Sequence, residues 1–152
     1  MREGESGKRV ARMQGFTLVE ILVVVMIMAV LATIVGVQVV PRLGEARRSA
    51  AISQINVFRQ ALNLYRLDNG MFPTQQQGLD ALVRKPQIEP VPPSFREEGY
   101  LETRQIPKDP WGREYVYLTP GRDGSPFEIF SYGADGQPGG EGENAEISSS
   151  DL

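Results

Sequence analysis

The chain has 152 residues, a formal net charge of -3, 41% hydrophobic residues, and neither Cys nor His. Those absences exclude a disulfide framework, a thiolate zinc site and any Cys or His catalysis, and leave a metal site to hard oxygen donors, the chemistry of Ca²⁺ or Mg²⁺. No Ser-x-x-Lys or Gly-x-Ser-x-Gly motif supports an enzyme, and a mildly acidic chain without a basic stripe argues against a nucleic-acid partner.

The N-terminus is short and basic, with Arg2, Lys8, Arg9 and Arg12 against Glu3 and Glu5. From Ile21 to Val40 the chain then reads ILVVVMIMAVLATIVGVQVV, without an ionisable residue. At about 1.5 Å per residue this run spans roughly 30 Å as a helix, the thickness of a bilayer's hydrocarbon core, and it reads as a membrane segment. The basic flank places the N-terminus in the cytoplasm and the bulk of the chain outside. The apolar run is followed by Pro41, Arg42, Leu43, Gly44 and Glu45, with no Ala-x-Ala cleavage site, so the segment is expected to be retained.

At the front edge of the run, residues 15–20 read GFTLVE. An ionised side chain inside a spanning helix costs on the order of 2.5 to 3.5 kcal/mol. Glu20 therefore either rests in the headgroup region or pairs with a positive group. A cut after Gly15 creates such a group, the new α-amino terminus of Phe16, about one helical turn away or on a neighbouring copy.

A short basic leader, G-F-T-L-V-E and about twenty apolar residues together resemble the class III signal of type IV pilins and type II secretion pseudopilins. The resemblance implies that a prepilin peptidase cleaves between Gly15 and Phe16 and methylates the new amino group of Phe16. It also implies that Glu20 is the carboxylate used in subunit assembly. The chain divides accordingly into a cleaved leader (1–15), a transmembrane half-helix (16–40) and a periplasmic globular domain (41–152).

Downstream, Ala51, Ile55, Phe58, Leu62 and Tyr65 recur at helical spacing, which predicts an amphipathic helix continuing the membrane helix. Pro41 and Gly44 mark the place for a kink or local melting. Asn69 and Gly70 supply the stop. A second short helix is predicted over 75–84 behind a Thr74 cap, followed by an extended loop, KPQIEPVPPS, whose four prolines deny both helix and central strand. Residues 114–118 and 127–132 are rich in aromatic and β-branched types around the turn-rich TPGRDGSP, a hairpin signature, with Trp111 as a core anchor.

The tail from Gly133 to Leu152 has five acidic residues, no basic one, and five glycines between 133 and 142. Its composition reads as a floppy acidic tail. The same glycines also let carbonyls and carboxylates converge on a Ca²⁺ ion, although the EF-hand pattern is absent.

DPWGREYVYLTPG followed by FEIFSYGADGQPGGEGENAEI resembles the C-terminal region of the type II secretion major pseudopilins, the protein G family. This match extends the likeness over nearly the whole chain. It implies an α+β, pilin-like fold, in which the long N-terminal helix packs on a small antiparallel sheet and a C-terminal loop closes around one structural calcium. Carried across, Asp135 is the first side-chain ligand, with the carbonyls of Tyr132 and Gln137 nearby. The slot that often holds Asp before an Ile has Ala145 and Glu146 before Ile147, so Glu146 is expected to ligate from a longer arm, with Asn144 or Glu143 as substitutes. The implied partners are further copies of the chain, minor pseudopilins, the prepilin peptidase, the inner-membrane assembly platform, the secretin and secreted proteins, and inner-membrane lipid before assembly. An adhesive or DNA-uptake type IV pilin is the alternative, but such pilins usually carry a C-terminal Cys pair that this chain lacks.

Overall fold

The computed structural model describes residues 15–152, except for the side chains of 34–41. The leader's basic residues Arg2, Lys8, Arg9 and Arg12 lie outside the described residues, as do the side chains at the end of the expected membrane span. The chain divides into two compact units, Met1–Val40 and Pro41–Leu152. The α-helix α1 (Leu18–Asn69) contributes to both.

In the first unit α1 starts at Leu18, two residues later than the expected start at Phe16, because Thr17 caps it. The Thr17 Oγ1 accepts the Glu20 N–H at 3.2 Å. Val and Ile dominate the turns that follow. These are modest helix formers, but a helix satisfies every backbone polar group internally, as an apolar setting requires. Thr33 fits the same logic, its hydroxyl donating to the Ala29 carbonyl at 3.0 Å. Large apolar side chains from Leu18 to Leu31 are exposed in the single chain, for example Met26 at 67%. Among the described residues no helix is long and apolar enough to cross a membrane.

In the second unit the helical assignment runs unbroken through Pro41 and Gly44. The local melting expected there is absent, and Gly44 leaves room for the Glu143 side chain, which would have to shift for any larger residue. The predicted apolar face is buried as expected, with Ala51, Ile55, Phe58, Leu62 and Tyr65 all at 0 to 1% exposure. Burying each of the large ones contributes about 1.5 to 3 kcal/mol. The helix ends at Asn69, and the following Gly70 takes a left-handed conformation (φ 77°). Asn69 is more than a stop, since its amide donates to the Tyr65 carbonyl (3.0 Å) and the Tyr100 hydroxyl (2.8 Å) and accepts the Ser94 N–H (3.1 Å).

The helix predicted over 75–84 is not an α-helix. Thr74 and Gln77 do form a reciprocal cap, Thr74 N–H to Gln77 Oε1 at 3.0 Å and Gln77 N–H to Thr74 Oγ1 at 3.3 Å. The left-handed Gly78 (φ 59°) then interrupts the chain, and only a 3₁₀ turn at Leu79–Leu82 follows. The proline-rich segment is irregular, as predicted, and is tied down by Gln77 Nε2, which donates to the carbonyls of Ile88 (2.8 Å) and Pro90 (3.0 Å).

The predicted hairpin forms from β1 (Val116–Leu118) and β2 (Glu128–Ser131), antiparallel, with Tyr117 opposite Ile129. A third strand, β3 (Ile147–Ser148), pairs antiparallel with β2, with Ser131 opposite Ile147, giving the order β1-β2-β3. This strand lies in the tail that composition alone reads as floppy. Its Ile147 belongs to the same core as Ile55, Phe58, Tyr115 and Ile129, and burial of that one side chain holds the tail down. The central strand β2 is buried at every position. Side chains alternate across it, so Ile129 faces the core while Glu128 and Phe130 occupy the other face.

Candidate functional site

Two regions carry the predicted site residues. The first is the start of α1. Gly15 and Phe16 precede the helix in non-helical, exposed chain, Phe16 at 77% exposure. Glu20 lies in the first helical turn, where a carboxylate complements the helix dipole. With Thr17 accepting its N–H, the T-x-x-E spacing places Glu20 at the third helical position. The capping role of Thr17 is legible in that spacing but is easily overlooked beside the methylation signature.

The second region is the loop between β2 and β3. Asp109, which the sequence reading did not single out, holds its entrance. In the turn Asp109-Pro110-Trp111-Gly112, the Gly112 N–H donates to the Asp109 carbonyl at 2.9 Å. The Asp109 carboxylate is 4% exposed as a residue; it accepts the N–H groups of Trp111 (3.1 Å) and Arg113 (2.7 Å) and the Ser131 hydroxyl (2.6 Å). Ser131 Oγ in turn accepts the Gly133 N–H at 3.2 Å, where the loop begins. Asp at the first position, Pro at the second and Gly at the fourth is the signature of a type I turn, and it was the available signal.

Within the loop, the Ala134 N–H donates to the Glu143 carbonyl at 2.9 Å, joining its two arms. Tyr132, Asp135 and Gln137 lie on the first arm, Asn144 and Glu146 on the second. Asp135 is exposed, and its carboxylate accepts the Gln137 N–H at 3.0 Å. The Tyr132 ring packs on Phe130 with centroids 5.0 Å apart. Gly133 takes φ 72° where a Cβ would stand 2.6 Å from the Glu143 carbonyl oxygen and 2.9 Å from that of Ala145, so only glycine lets these carbonyls approach. Arg113 braces the outside, donating to the Ala134 carbonyl at 2.8 Å.

The glutamates of the second arm are held by cations of the chain itself. Glu143 pairs with Arg47 of α1 at 3.6 Å, and Glu146 pairs with Arg122. Arg122 also grips Glu128 at 2.5 Å, and its guanidinium lies 4.2 Å over the Phe130 ring. These contacts hold the Glu128 carboxyl down to about 2, the Arg122 hydrogen bonds being the main cause, and raise the Arg122 guanidinium further above its ordinary range. Among the described residues no group of three or more acidic side chains is placed to hold a metal. What fits calcium in kind is one exposed loop carboxylate, Asp135, and the loop carbonyls of Glu143 and Ala145 that approach Gly133, hard oxygen donors of the class that ion takes.

The family model for type II secretion system protein G matches residues 38–150, and that for the prokaryotic N-terminal methylation motif matches residues 11–36. The type II secretion system core protein G of Vibrio cholerae serotype O1 is 44% identical over 140 residues, covering 92% of this chain and 93% of the relative. That of Pseudomonas aeruginosa is 47% identical over 133 residues, covering 88% and 92%. The crystal structure of the major pseudopilin from the type 2 secretion system of enterohaemorrhagic Escherichia coli superposes with a TM-score of 0.64 at 39% identity, covering 75% of this chain and 95% of that one. The methylation motif at one end, and a long helix on a three-stranded antiparallel sheet at the other, make this chain a member of the type II secretion system protein G family.

Proposed function

We propose that this chain is the major structural subunit of a periplasmic type II secretion pseudopilus. In this reading prepilin peptidase cuts after Gly15 and methylates Phe16. The segment 16–40 holds the subunit in the inner membrane with the N-terminus cytoplasmic, and the 41–152 domain folds in the periplasm. Copies extracted by the assembly platform polymerise, minor pseudopilins join them, and the filament drives folded proteins through the secretin.

The observation that carries the reading is the exposed Gly15–Phe16 bond directly ahead of a Thr17-capped helix whose first turn bears Glu20 and whose side chains from Leu18 to Leu31 are apolar and exposed. Packing such helices together replaces lipid contacts with protein contacts. Within that packing, Glu20 against the amino terminus of a neighbour neutralises two charges and fixes the axial register. A head-to-tail contact of this kind does not close on itself and builds a helical filament. In protein isolated from filaments, the first residue is expected to be Phe16 bearing one extra methyl mass. Glu20→Ala is expected to leave subunit in the membrane but abolish filaments. Assembled filaments made of chains that start at Met1 would overturn the reading.

The same reading includes one structural calcium at the 133–146 loop, held by Asp135 with loop carbonyls that include those of Tyr132 and Gln137. When bound, the ion cross-links the arms of a glycine-rich segment that is costly to order. In detergent, the full chain is expected to melt higher in calcium than in chelator. At about a hundredfold excess over Kd the gain is about 2.7 kcal/mol, roughly 10 °C for a domain of this size. A melting temperature indifferent to calcium removes the ion from the proposal.

A further inference from the structure

We propose that Arg122 is a built-in cation that anchors the exit of the acidic C-terminal loop through Glu146, and that Glu146 is therefore a loop anchor and not a calcium ligand. The second half rests on the calcium reading above, whereas the first stands without it.

Ile147 is 2% exposed and points into the core opposite Ser131, so its neighbours Glu146 and Ser148 must point to the other face of the sheet. That is also the face of Glu128 and Phe130, and the Ser148 hydroxyl donates to Glu128 Oε1 at 2.7 Å. Arg122, from the β1–β2 turn, lies across this face. Its backbone N–H donates to Glu128 Oε2 at 2.9 Å, its guanidinium forks onto Glu128 (2.5 Å from Nη2, 3.1 Å from Nε) and sits over Phe130 at 4.2 Å, and its remaining edge meets Glu146.

The chemistry favours a stable arrangement. The side chains of Glu128 and Glu146 are 3% and 19% exposed, against 48% for Arg122. A planar guanidinium held from below by an aromatic ring and flanked by two carboxylates is far more restrained than an ordinary surface ion pair. The Glu146 backbone also participates, donating to the Gly139 carbonyl at 3.1 Å. One residue thus ties the late loop to its own middle and to the hairpin turn. Asp135, by contrast, is exposed, and among the described residues it accepts only from within its own turn. For Glu146 to ligate, it would have to leave Arg122 with a single partner and turn away from the face that β3 assigns to it.

The test is a double-mutant cycle on the full chain in detergent, using Arg122→Gln, Glu146→Gln and both together. Melting is followed in chelator, and calcium binding is measured by titration calorimetry with Asp135→Asn as the reference. In chelator, Glu146→Gln is expected to lower the melting temperature by about 4 °C. Arg122→Gln is expected to lower it more, because Glu128 loses its partner too, and the double variant should be no worse than Arg122→Gln alone. The calcium Kd of Glu146→Gln is expected to stay within about threefold of the parent, while Asp135→Asn weakens it at least about tenfold. An unchanged melting temperature for Glu146→Gln, or strictly additive losses, overturns the anchor. A calcium affinity lost in Glu146→Gln as fully as in Asp135→Asn overturns its exclusion from the ligand set. A parent that binds no calcium overturns the calcium reading and the second half with it, while the chelator cycle still decides the first.

Discussion

Phe58→Ala is expected to lower the stability of the 41–152 unit by about 3 to 5 kcal/mol. Phe58 is fully buried on the core face of α1, and its ring meets Tyr115 edge to face with centroids 5.1 Å apart. The Tyr115 hydroxyl is itself buried without a hydrogen-bond partner, and burial raises its pKa. The site therefore cannot relax by turning that hydroxyl inward, and truncation leaves a cavity between helix and sheet rather than a collapsed core. Val57, one residue away and 46% exposed, is the internal control, and Val57→Ala is expected to change stability by no more than about 0.5 kcal/mol. Trp111 is the chain's one tryptophan and packs against the same core, so its fluorescence reports the transition. A loss below about 1 kcal/mol for Phe58→Ala would mean that α1 is not seated on the sheet as described. Secretion should fall with subunit abundance, since a few kcal/mol changes the fraction of chain that remains folded.

Asp109→Ala is expected to cost about 3 kcal/mol or more. Its carboxylate accepts from two backbone N–H groups and one hydroxyl in a buried setting. Removing it strands those donors, and each unsatisfied buried donor costs about 1 to 3 kcal/mol. Asp109→Asn separates hydrogen bonding from charge. The amide oxygen still accepts the N–H groups of Trp111 and Arg113, and the Ser131 hydroxyl can turn to accept from the amide nitrogen. The expected order is wild type, then Asn at a cost of about 1 kcal/mol, then Ala. Because Ser131 also receives the Gly133 N–H, Asp109→Ala is further expected to speed amide exchange at the loop entrance. Equal losses for Asn and Ala would show that the charge, not the acceptor geometry, matters.

The parts of the site that were legible in sequence are those built from neighbours along the chain. Thr17 and Glu20 stand three residues apart, so the cap and the first-turn carboxylate follow from spacing, whereas a cut after Gly15 is what the family resemblance implies. The apolar face from Ala51 to Tyr65 and the two hairpin runs were equally readable, because a period of 3.6 or 2 reports which side of an element meets the core. Local signals misled where a single residue overrode its surroundings. Gly78 stops the second helix despite a well-formed Thr74–Gln77 cap, and Gly44, by its residue type a weak point of the helix, is a space that the Glu143 side chain fills.

By itself, then, the sequence determined the apolar segment, the amphipathic half of α1, the hairpin and the exclusion of Cys and His chemistry, all consequences of composition and short-range periodicity. Only the tertiary structure decided that Asp109 holds the loop entrance, that two residues of the acidic tail become β3, and that Glu146 meets Arg122 from 24 residues away in the chain. The physical reason is that a charged side chain has no periodicity of its own. Its partner is set by which face of which strand the neighbouring apolar residue claims, and here the burial of Ile147 sends Glu146 to the face where Arg122 lies.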